Sequence, residues 1–492
     1  MQTIKLLTIS FILQCLKSNG ENKSTCEWVK VMKLFIISIC VAAGSNAQSL
    51  HLSLSVENTW QQAKENEPIV LKLNELKELE KKLDFQVRSA TVTTEGQALP
   101  YQLDDIDGDN RADELVFLAD IKGKTTQTYN VTLSSAADTT HFTPRVYADM
   151  QLDDKRGKHP FITSIEAPGS SYIYSDLYHH GAAFESELTA YRIYFDHRQN
   201  IDIYGKQLRQ LELADTHFYS TPQQMQQGNG NDVLWAGNSI GCGSFKGWDG
   251  TAPTNIEPVT TRGQKVIATG PLRTIVKVWD YGWNNKSSNG QNRGQGNEHN
   301  NGNDNGHDSG QGNEHDNGND NGHDSGNGNV QSTLNMTQYY ILYAGHRDCE
   351  VHVTFDRPLT SETFTTGVQK VGSQPQGFAN GNGIAASWGS DYPEMGKKDQ
   401  YPPEAVGLAV YVPTLFIQST HESDLNYLFV LHAPKQTQLN YHVSFCADKE
   451  KEGYHSAAEW FEEVNQWKEQ LEHPVEVKIK ETKIDTNQRK KK

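Results

Sequence analysis

The chain has 492 residues and carries 61 acidic side chains against 45 lysines and arginines, a formal charge of −16. That length supplies two to four domains and a large apolar core. The acidity argues against a nucleic-acid partner, which calls for a basic stripe; the terminal Arg489-Lys490-Lys491-Lys492 is too short to provide one.

The long apolar run near the start follows Met32 and Lys33 as LFIISICVAAG and ends in Ser45-Asn46-Ala47 before Gln48. A charged n-region, a short apolar core and a small-residue cleavage site read as a secretory signal over 32–47, with the true start at Met32 and residues 1–31 a mis-called extension. A lipoprotein reading of Phe11 to Cys15 is weakened by Gln14, where a small residue is wanted. The mature protein is therefore expected in the periplasm or outside the cell, with no membrane span. Cleavage removes five lysines and two glutamates and takes the charge to −19. It leaves Cys242, Cys349 and Cys446, widely spaced and without a CxxC, which suit small core side chains better than a disulfide framework or a zinc site.

From Gln48 to about residue 135, strand-like segments dominate: Ile69 to Leu73, Phe85 to Thr93, Glu114 to Leu118 and Thr128 to Leu133, with a helical stretch from Glu75 to Lys82. They predict a small N-terminal β-sandwich-like domain. Its Asp105-Ile106-Asp107-Gly108-Asp109 run, followed by Asp113, spaces oxygen ligands two apart around a glycine turn, a pattern that suits calcium, the one cofactor the chain suggests. Asp105, Asp107, Asp109 and Asp113 are the candidate ligands; the competing reading is a solvated acidic hairpin turn. Flanking strands and the missing bidentate glutamate exclude an EF-hand.

Residues 178–206, YHHGAAFESELTAYRIYFDHRQNIDIYGK, crowd histidines, tyrosines, carboxylates and a lysine onto two adjacent predicted strands. So many proton-handling groups are costly to bury, which points to a polar ligand. Alternation puts Asp202, Tyr204 and Lys206 on one face and Ile201 and Ile203 on the other. On the preceding strand Glu185, Glu187 and Tyr191 share a parity, with Arg192, Tyr194 and Asp196 on the other. His179 and His180 sit at the strand's entrance beside Tyr178. The candidate catalytic set is His179, His180, Glu185, Tyr191, Asp202, Tyr204 and Lys206. Cross-strand pairing of Glu185 and Glu187 with Arg192 or Arg198 is the structural alternative.

Next, DVLWAGNSIGCGSFKGWD over 232–249 brackets a glycine-rich loop with Trp235 and Trp248 and adds Lys246, a combination that suits sugar stacking with a carboxylate contact; self-packing of the loop is the alternative. Gly237-Asn238-Ser239-Ile240-Gly241 fits the esterase motif G-x-S-x-G, but too much glycine follows for the helix a nucleophile elbow needs. Between Asn284 and Val330 the composition collapses to Gly, Asn, Asp, His and Ser, with GQGNEHNNGNDNGHDS at 294–309 repeated at 310–325 with one difference. This predicts a disordered insertion between a strand ending at Trp283 and one beginning near Met336. His346 and Arg347 follow, the guanidinium available for an acidic substrate or for an ion pair. Ser456-Ala457-Ala458-Glu459 matches a capping box opening a helix to residue 472, whose Trp460, Phe461, Val464, Trp467 and Leu471 form an apolar stripe. Pro474 ends it, Val475 to Ile479 can form a last strand, and a basic tail runs from 481.

Mainly β, the chain is expected to place the small N-terminal domain before a large antiparallel β-supersandwich over 136–480 with a C-terminal helix. The DxDGDxxxDELVFL hairpin, the HHGxxxExExxxYRxYFD…IDIYGK block and the DVLWAGNSIGCGSF loop, matching in order over nearly all of 55–470, resemble the secreted bacterial family called domain of unknown function 4861. That resemblance implies a setting among polysaccharide utilisation systems, near glycosidases and uronate lyases, and the supersandwich of galactose mutarotase-like proteins by analogy; it assigns no catalytic residue.

Three functions then compete on an oligo- or polysaccharide. β-Elimination on a uronate glycan needs a base (His179 or His180), an acid (Tyr191 or Tyr204) and a cation (Lys206, Lys246 or Arg347). Hydrolysis or epimerisation needs a carboxylate pair such as Glu185 or Glu187 with Asp202, or a histidine with a glutamate. A non-catalytic glycan-binding protein needs only the aromatic and polar surface.

Overall fold

A computed structural model describes residues 47–486 apart from 81–84, 155, 172, 285–332, 394–397 and 399–400. The upstream extension, nearly all of the signal, the repeat insertion from 285 and the tail from 487 lie outside the described residues.

The chain is mainly β, in antiparallel sheets, with one long C-terminal helix. The largest sheet has nine strands, in the order 376–379, 384–391, 404–411, 438–447, 349–355, 334–343, 273–283, 261–269 and 164–168. Two five-stranded sheets cover one of its faces. The first is built from Val146–Asp149, Gly181–Ser186, Thr189–Tyr194, Ile201–Gly205 and Asn231–Asp232. The second centres on Phe364–Gln369 and Asn426–Leu431. One apolar core runs between the three, taking Phe184, Ile193 and Ile203 from the first, Phe364, Val368 and Phe429 from the second, and Val276, Leu342, Val353, Leu408 and Val443 from the nine-stranded sheet. The period-2 alternation seen in the sequence is the cause: every second residue turns inward.

The nine-stranded sheet is covered on its other face too. The helix Ala457–Glu472 lays Trp460, Val464 and Trp467 on Ile384, Ala386, Ala409 and Tyr411. Gly407 makes room for it, since a methyl group there would run into the Trp460 indole. Ser456 Oγ accepts from the Glu459 amide as expected, while Glu459 reaches back to the His455 amide, one residue earlier than a capping box requires. N-terminal strands supply Val70, Val116 and Leu118, which pack on Ala268, Ile275 and Ile341. Leu50–Lys483 forms one compact unit.

Several predicted elements shift in extent. The early strand covers Lys64–Lys72 and hands over to a helix at Leu73–Glu80, and the last strand continues to Thr486, beyond the expected stop at Ile479. Strands Arg273–Trp283 and Leu334–Tyr343 pair with Trp283 opposite Leu334, so the repeat insertion joins two hydrogen-bonded neighbours. Cys242, Cys349 and Cys446 are all free and buried. Among the described residues no helix is long and apolar enough to cross a membrane.

Candidate functional site

The block 178–206 folds as three strands instead of two. Glu187 and Leu188 form a turn between Gly181–Ser186 and Thr189–Tyr194, so the single parity expected across Glu185, Glu187 and Tyr191 is broken there. In the resulting register Arg192 lies opposite Ala183 on one side and Asp202 on the other, and Tyr204 lies opposite Ala190 and Asp232. These residues share the face turned away from the core. Tyr191 lies opposite Ile203 and Phe184 and faces the core, fully buried, its hydroxyl donating to the Arg347 carbonyl at 2.7 Å. It cannot reach a substrate.

The polar face has a closed end and an open end. At the closed end Lys206 and Glu185 form an ion pair that is essentially inaccessible to water, and Glu185 also accepts from the amides of Glu212 and Leu213 at 2.8–2.9 Å. Tyr204 donates to Glu212 at 2.8 Å and lies 2.9 Å from the Ser220 hydroxyl; burial raises its pKa, so it stays protonated. The segment 212–220 covers Glu185 and Tyr204, with Leu213 and Phe218 packed on Tyr204 and Ala190, while the Lys206 ammonium is also held by the Ser186 and Gln210 carbonyls. Glu185, Tyr204 and Lys206 therefore hold structure together and line no part of the open cleft. Glu187 pairs with Arg145, neither with Arg192 nor with Arg198.

At the open end a cleft of about 520 Å³ is walled by Tyr178, His180, Tyr194, Tyr219 and Trp235, with Arg192, Asp202 and Asp232 at its floor. Arg192 is 1 % exposed and every arm of its guanidinium is engaged. Nε and Nη2 donate to Asp202 Oδ2 at 2.9 and 2.6 Å, Nη2 also to Asp232 Oδ2 at 2.9 Å and to the Tyr194 hydroxyl at 2.7 Å, and Nη1 to the Tyr219 hydroxyl at 2.6 Å. Phe218 stacks beneath it, 4.3 Å from the ring centre. Since both carboxylates rest on one nitrogen, their Oδ2 atoms lie within about 5.5 Å of each other. Burial raises the pKa of Tyr194 and Tyr219, so both phenols face the cleft as proton donors. Trp235 is 47 % exposed, an amphipathic plate at the rim. Gly237, at φ +53°, lies against its indole, where a side chain would crowd it. His180 adopts the left-handed conformation, φ +62°, and stacks on Tyr194 at 5.7 Å.

The remaining candidates scatter. His179 is buried behind the cleft, its Nε2 3.4 Å from Asp149 Oδ1, and stacks on His217. Burial pushes its pKa down to about 3, with Arg192 and His217 adding repulsion, so it is neutral and forms no ion pair with Asp149. Lys246 lines a second cavity, of about 970 Å³, whose walls share Tyr174, Arg198, Asn200 and Gly237 with the cleft. Trp248 is buried against Ile240, Leu428 and Val430 and is not a stacking platform. His346 and Arg347 belong to a third cavity, of about 360 Å³, beside the C-terminal helix. There Arg347 pairs with Glu450 at 2.8 Å. His346 Nδ1 faces Asp348 at 3.2 Å and Nε2 faces the Asn66 carbonyl at 3.0 Å. The Ser239 hydroxyl lies 2.6 Å from the Ala236 carbonyl of its own turn and 2.6 Å from Gln369 Oε1 on the strand Phe364–Gln369, with no helix after it, as the glycine content predicts. Asp105, Asp107 and Asp109 gather ligand oxygens within 4.8 Å of one another. Each also accepts from amides of the turn, as a self-capped acidic turn would, and Asp113 turns to the amides of Ile106 and Asp107.

Of the expected residues, then, the cleft gathers His180, Asp202 and Trp235. Sequence reading missed Asp232, Tyr194 and Tyr219 as members of the site, and weighed Arg192 only as a partner for Glu185 or Glu187. The signal for Asp232 was its place opposite Tyr204, which only strand pairing reveals.

A mainly β body of antiparallel sheets with a carboxylate-floored, aromatic-walled cleft defines the class of the fold and of the site without fixing a reaction. The chain belongs to the family described as a domain of unknown function, DUF4861, whose model matches residues 56–297 and 322–477. No curated protein matches significantly. Among solved structures the chain is similar to a protein in glycosyl hydrolase family 38 from Enterococcus faecalis, at 9% identity and a TM-score of 0.41 over 89% of this chain and 48% of that one. It is also similar to an α-mannosidase from Enterococcus faecalis V583, at 9% identity and a TM-score of 0.37 over 89% and 46%. The chain thus spans about half the length of either protein.

Proposed function

We propose that this chain is an exported carbohydrate-active protein that takes a saccharide into the Trp235 cleft and hydrolyses a glycosidic bond with Asp202 and Asp232. The observation that carries this reading is the pair of carboxylates held on one guanidinium beneath an exposed aromatic rim. Retaining glycosidases place their carboxyl groups about 5–5.5 Å apart, against about 6.5–9.5 Å in inverting ones, and the shared arginine nitrogen holds these two oxygens no farther apart than about 5.5 Å, which favours the retaining geometry. Asp202, tied by two bonds to Arg192, is the fixed member; Asp232, with the more exposed side chain, is the one to exchange a proton with the glycosidic oxygen. Tyr194 donates to Asp202 at 3.3 Å, Tyr219 is held by Arg192, and both place a phenol in the wall that meets the sugar.

Elimination on a uronate is less well served by this floor. Arg192 is shared by two carboxylates, Lys206 and Arg347 are paired elsewhere and His179 is shut away, which leaves elimination only His180 in the cleft wall and Lys246 in the neighbouring cavity rather than at the floor. The acidic turn offers calcium a place through Asp105, Asp107 and Asp109, remote in sequence from the cleft and structural in role.

Reducing-end release measured across a panel of oligosaccharides tests the proposal, with Asp232→Asn expected to lower turnover at least ~100-fold. Absorbance of unsaturated uronates without hydrolysis would replace it with a lyase. Saturable binding without any product would leave a glycan-binding protein.

A further inference from the structure

We propose that the cavity beside the cleft, floored by Lys246, is a subsite for an anionic substituent of the saccharide, a carboxylate or a sulfate. This rests on the saccharide reading above and adds to it the class of sugar.

Lys246 projects from the short strand Lys246–Trp248 and is 5 % exposed, yet it lines a cavity of about 970 Å³. Its ammonium donates to the Arg198 carbonyl and, at 3.3 Å, to Asn255 Oδ1. An ammonium has three donors, and both of these acceptors are neutral. Among the described residues no carboxylate lies within ion-pair distance of it. Every other deeply buried cation of this region is paired: Lys206 with Glu185, Arg192 with Asp202 and Asp232, Arg262 with Asp280. A buried ammonium without a counter-charge is costly, and one that borders open space lowers that cost by accepting an anion there.

A second orphan marks the same place. Asn200 is 4 % exposed, its Oδ1 is buried with no hydrogen-bond partner, and the residue lines both the Lys246 cavity and the Trp235 cleft. An unmatched acceptor in a wall that the two cavities share suits a hydroxyl of a sugar whose ring lies in the cleft and whose acidic arm reaches Lys246.

The electrostatics agree with the geometry. Burial lowers the Lys246 pKa to about 7, Arg198 and Arg262 add repulsion, and Asp196 and Glu257 offset it only in part. Asp280 approaches from the strand beneath; His197 and Asp424 complete the charged and titratable wall. A bound anion favours the protonated amine. Binding near neutral pH therefore takes up a proton, and affinity falls as pH rises above 7.

The test is calorimetric titration of the full chain with matched sugars: glucose against glucuronate, galactose against galacturonate, and glucose 6-sulfate, with inorganic sulfate alone as a further probe. At pH 6.5 the acidic sugars are expected to bind at least ~10-fold tighter than their neutral partners. Lys246→Met should erase that preference while leaving neutral-sugar binding intact, and Lys246→Arg should keep part of it. Wild-type affinity for the acidic sugars should fall between pH 6.5 and 8.5, with no such fall in Lys246→Met. Relative affinity for the carboxylate and sulfate forms names the substituent. Equal binding of acidic and neutral sugars, or a preference that survives Lys246→Met, overturns the subsite and leaves the saccharide reading standing. Failure of every sugar to bind overturns both.

Discussion

The two ends of one sheet face carry the same chemistry and come to opposite uses. Glu185, Tyr204 and Lys206 at one end and Asp202, Tyr194 and Arg192 at the other are an acid, a phenol and a cation on neighbouring strands in a shared register. In the first trio Glu185 and Tyr204 lie under the segment 212–220, whose amides and side chains saturate them, and Lys206 is held by Glu185 and the Ser186 and Gln210 carbonyls. The second is left open beneath Trp235 and Tyr219. What separates a structural ion pair from a candidate active site here is the neighbouring space: Arg192 and Asp202 are as shut off from water as Lys206 and Glu185, and Phe218 and Tyr219 engage the guanidinium, but the second trio lines the aromatic-walled cleft. Low dielectric stiffens both groups; only the second borders that cleft.

The strongest way to break this contrast is at the closed end. Lys206→Met strands the Glu185 carboxylate in the protein interior and should cost about 3–5 kcal/mol in urea unfolding. A loss below 1 kcal/mol would mean that the pair is not the keystone described. At the open end Asp232→Asn should remove most turnover, and here the sharper measurement is the ratio of effects: a large fall in kcat with binding retained. If kcat and melting temperature fall together, the open end is structural as well. Trp235→Ala comes next, with sugar affinity reduced about tenfold and stability unchanged, as befits an exposed aromatic.

A pH series adds a further test at a site outside this face. Burial disfavours a charged His346, but the Asp348 carboxylate and the Asn66 carbonyl each take one ring proton and raise its pKa to about 9. A folded pKa above the unfolded value means that the stabilisation is complete below about 6.5 and is lost as pH rises through 9. His346→Gln should therefore cost on the order of 2 kcal/mol at pH 6 and little at pH 10. A loss independent of pH would assign the effect to packing. The smallest effect concerns calcium, which should raise the melting temperature of chelated protein by about 2–4 °C, a shift that Asp107→Asn should abolish.

The sequence carried the architecture well where the signals were local. The cap at Ser456, the apolar stripe through Trp460 and Trp467, the strand ending at Trp283 and three buried cysteines are all properties of short windows. The site was legible only in part. Alternation found the polar face of 201–205, but the turn at Glu187 and Leu188 reversed the expected parity, because a charged residue in a tight turn and one on a strand look alike in one dimension. How residues 212–220 pack on the polar face, and the role of Asp232 through its pairing with Tyr204, are both contacts between segments. The two tryptophans of the glycine-rich loop show the same limit, one at the rim and one in a core.

The hairpin that receives the repeat also bears on how this chain can change over time. Trp283 and Leu334 are held opposite each other by the pairing of their own strands, so the span to be bridged stays the same whatever is inserted between them. Loop closure grows only with the logarithm of length, and deleting one copy of the duplicated unit would alter stability by about a few tenths of a kcal/mol. Gain or loss of a copy at this junction therefore meets almost no thermodynamic resistance from the paired strands that flank it.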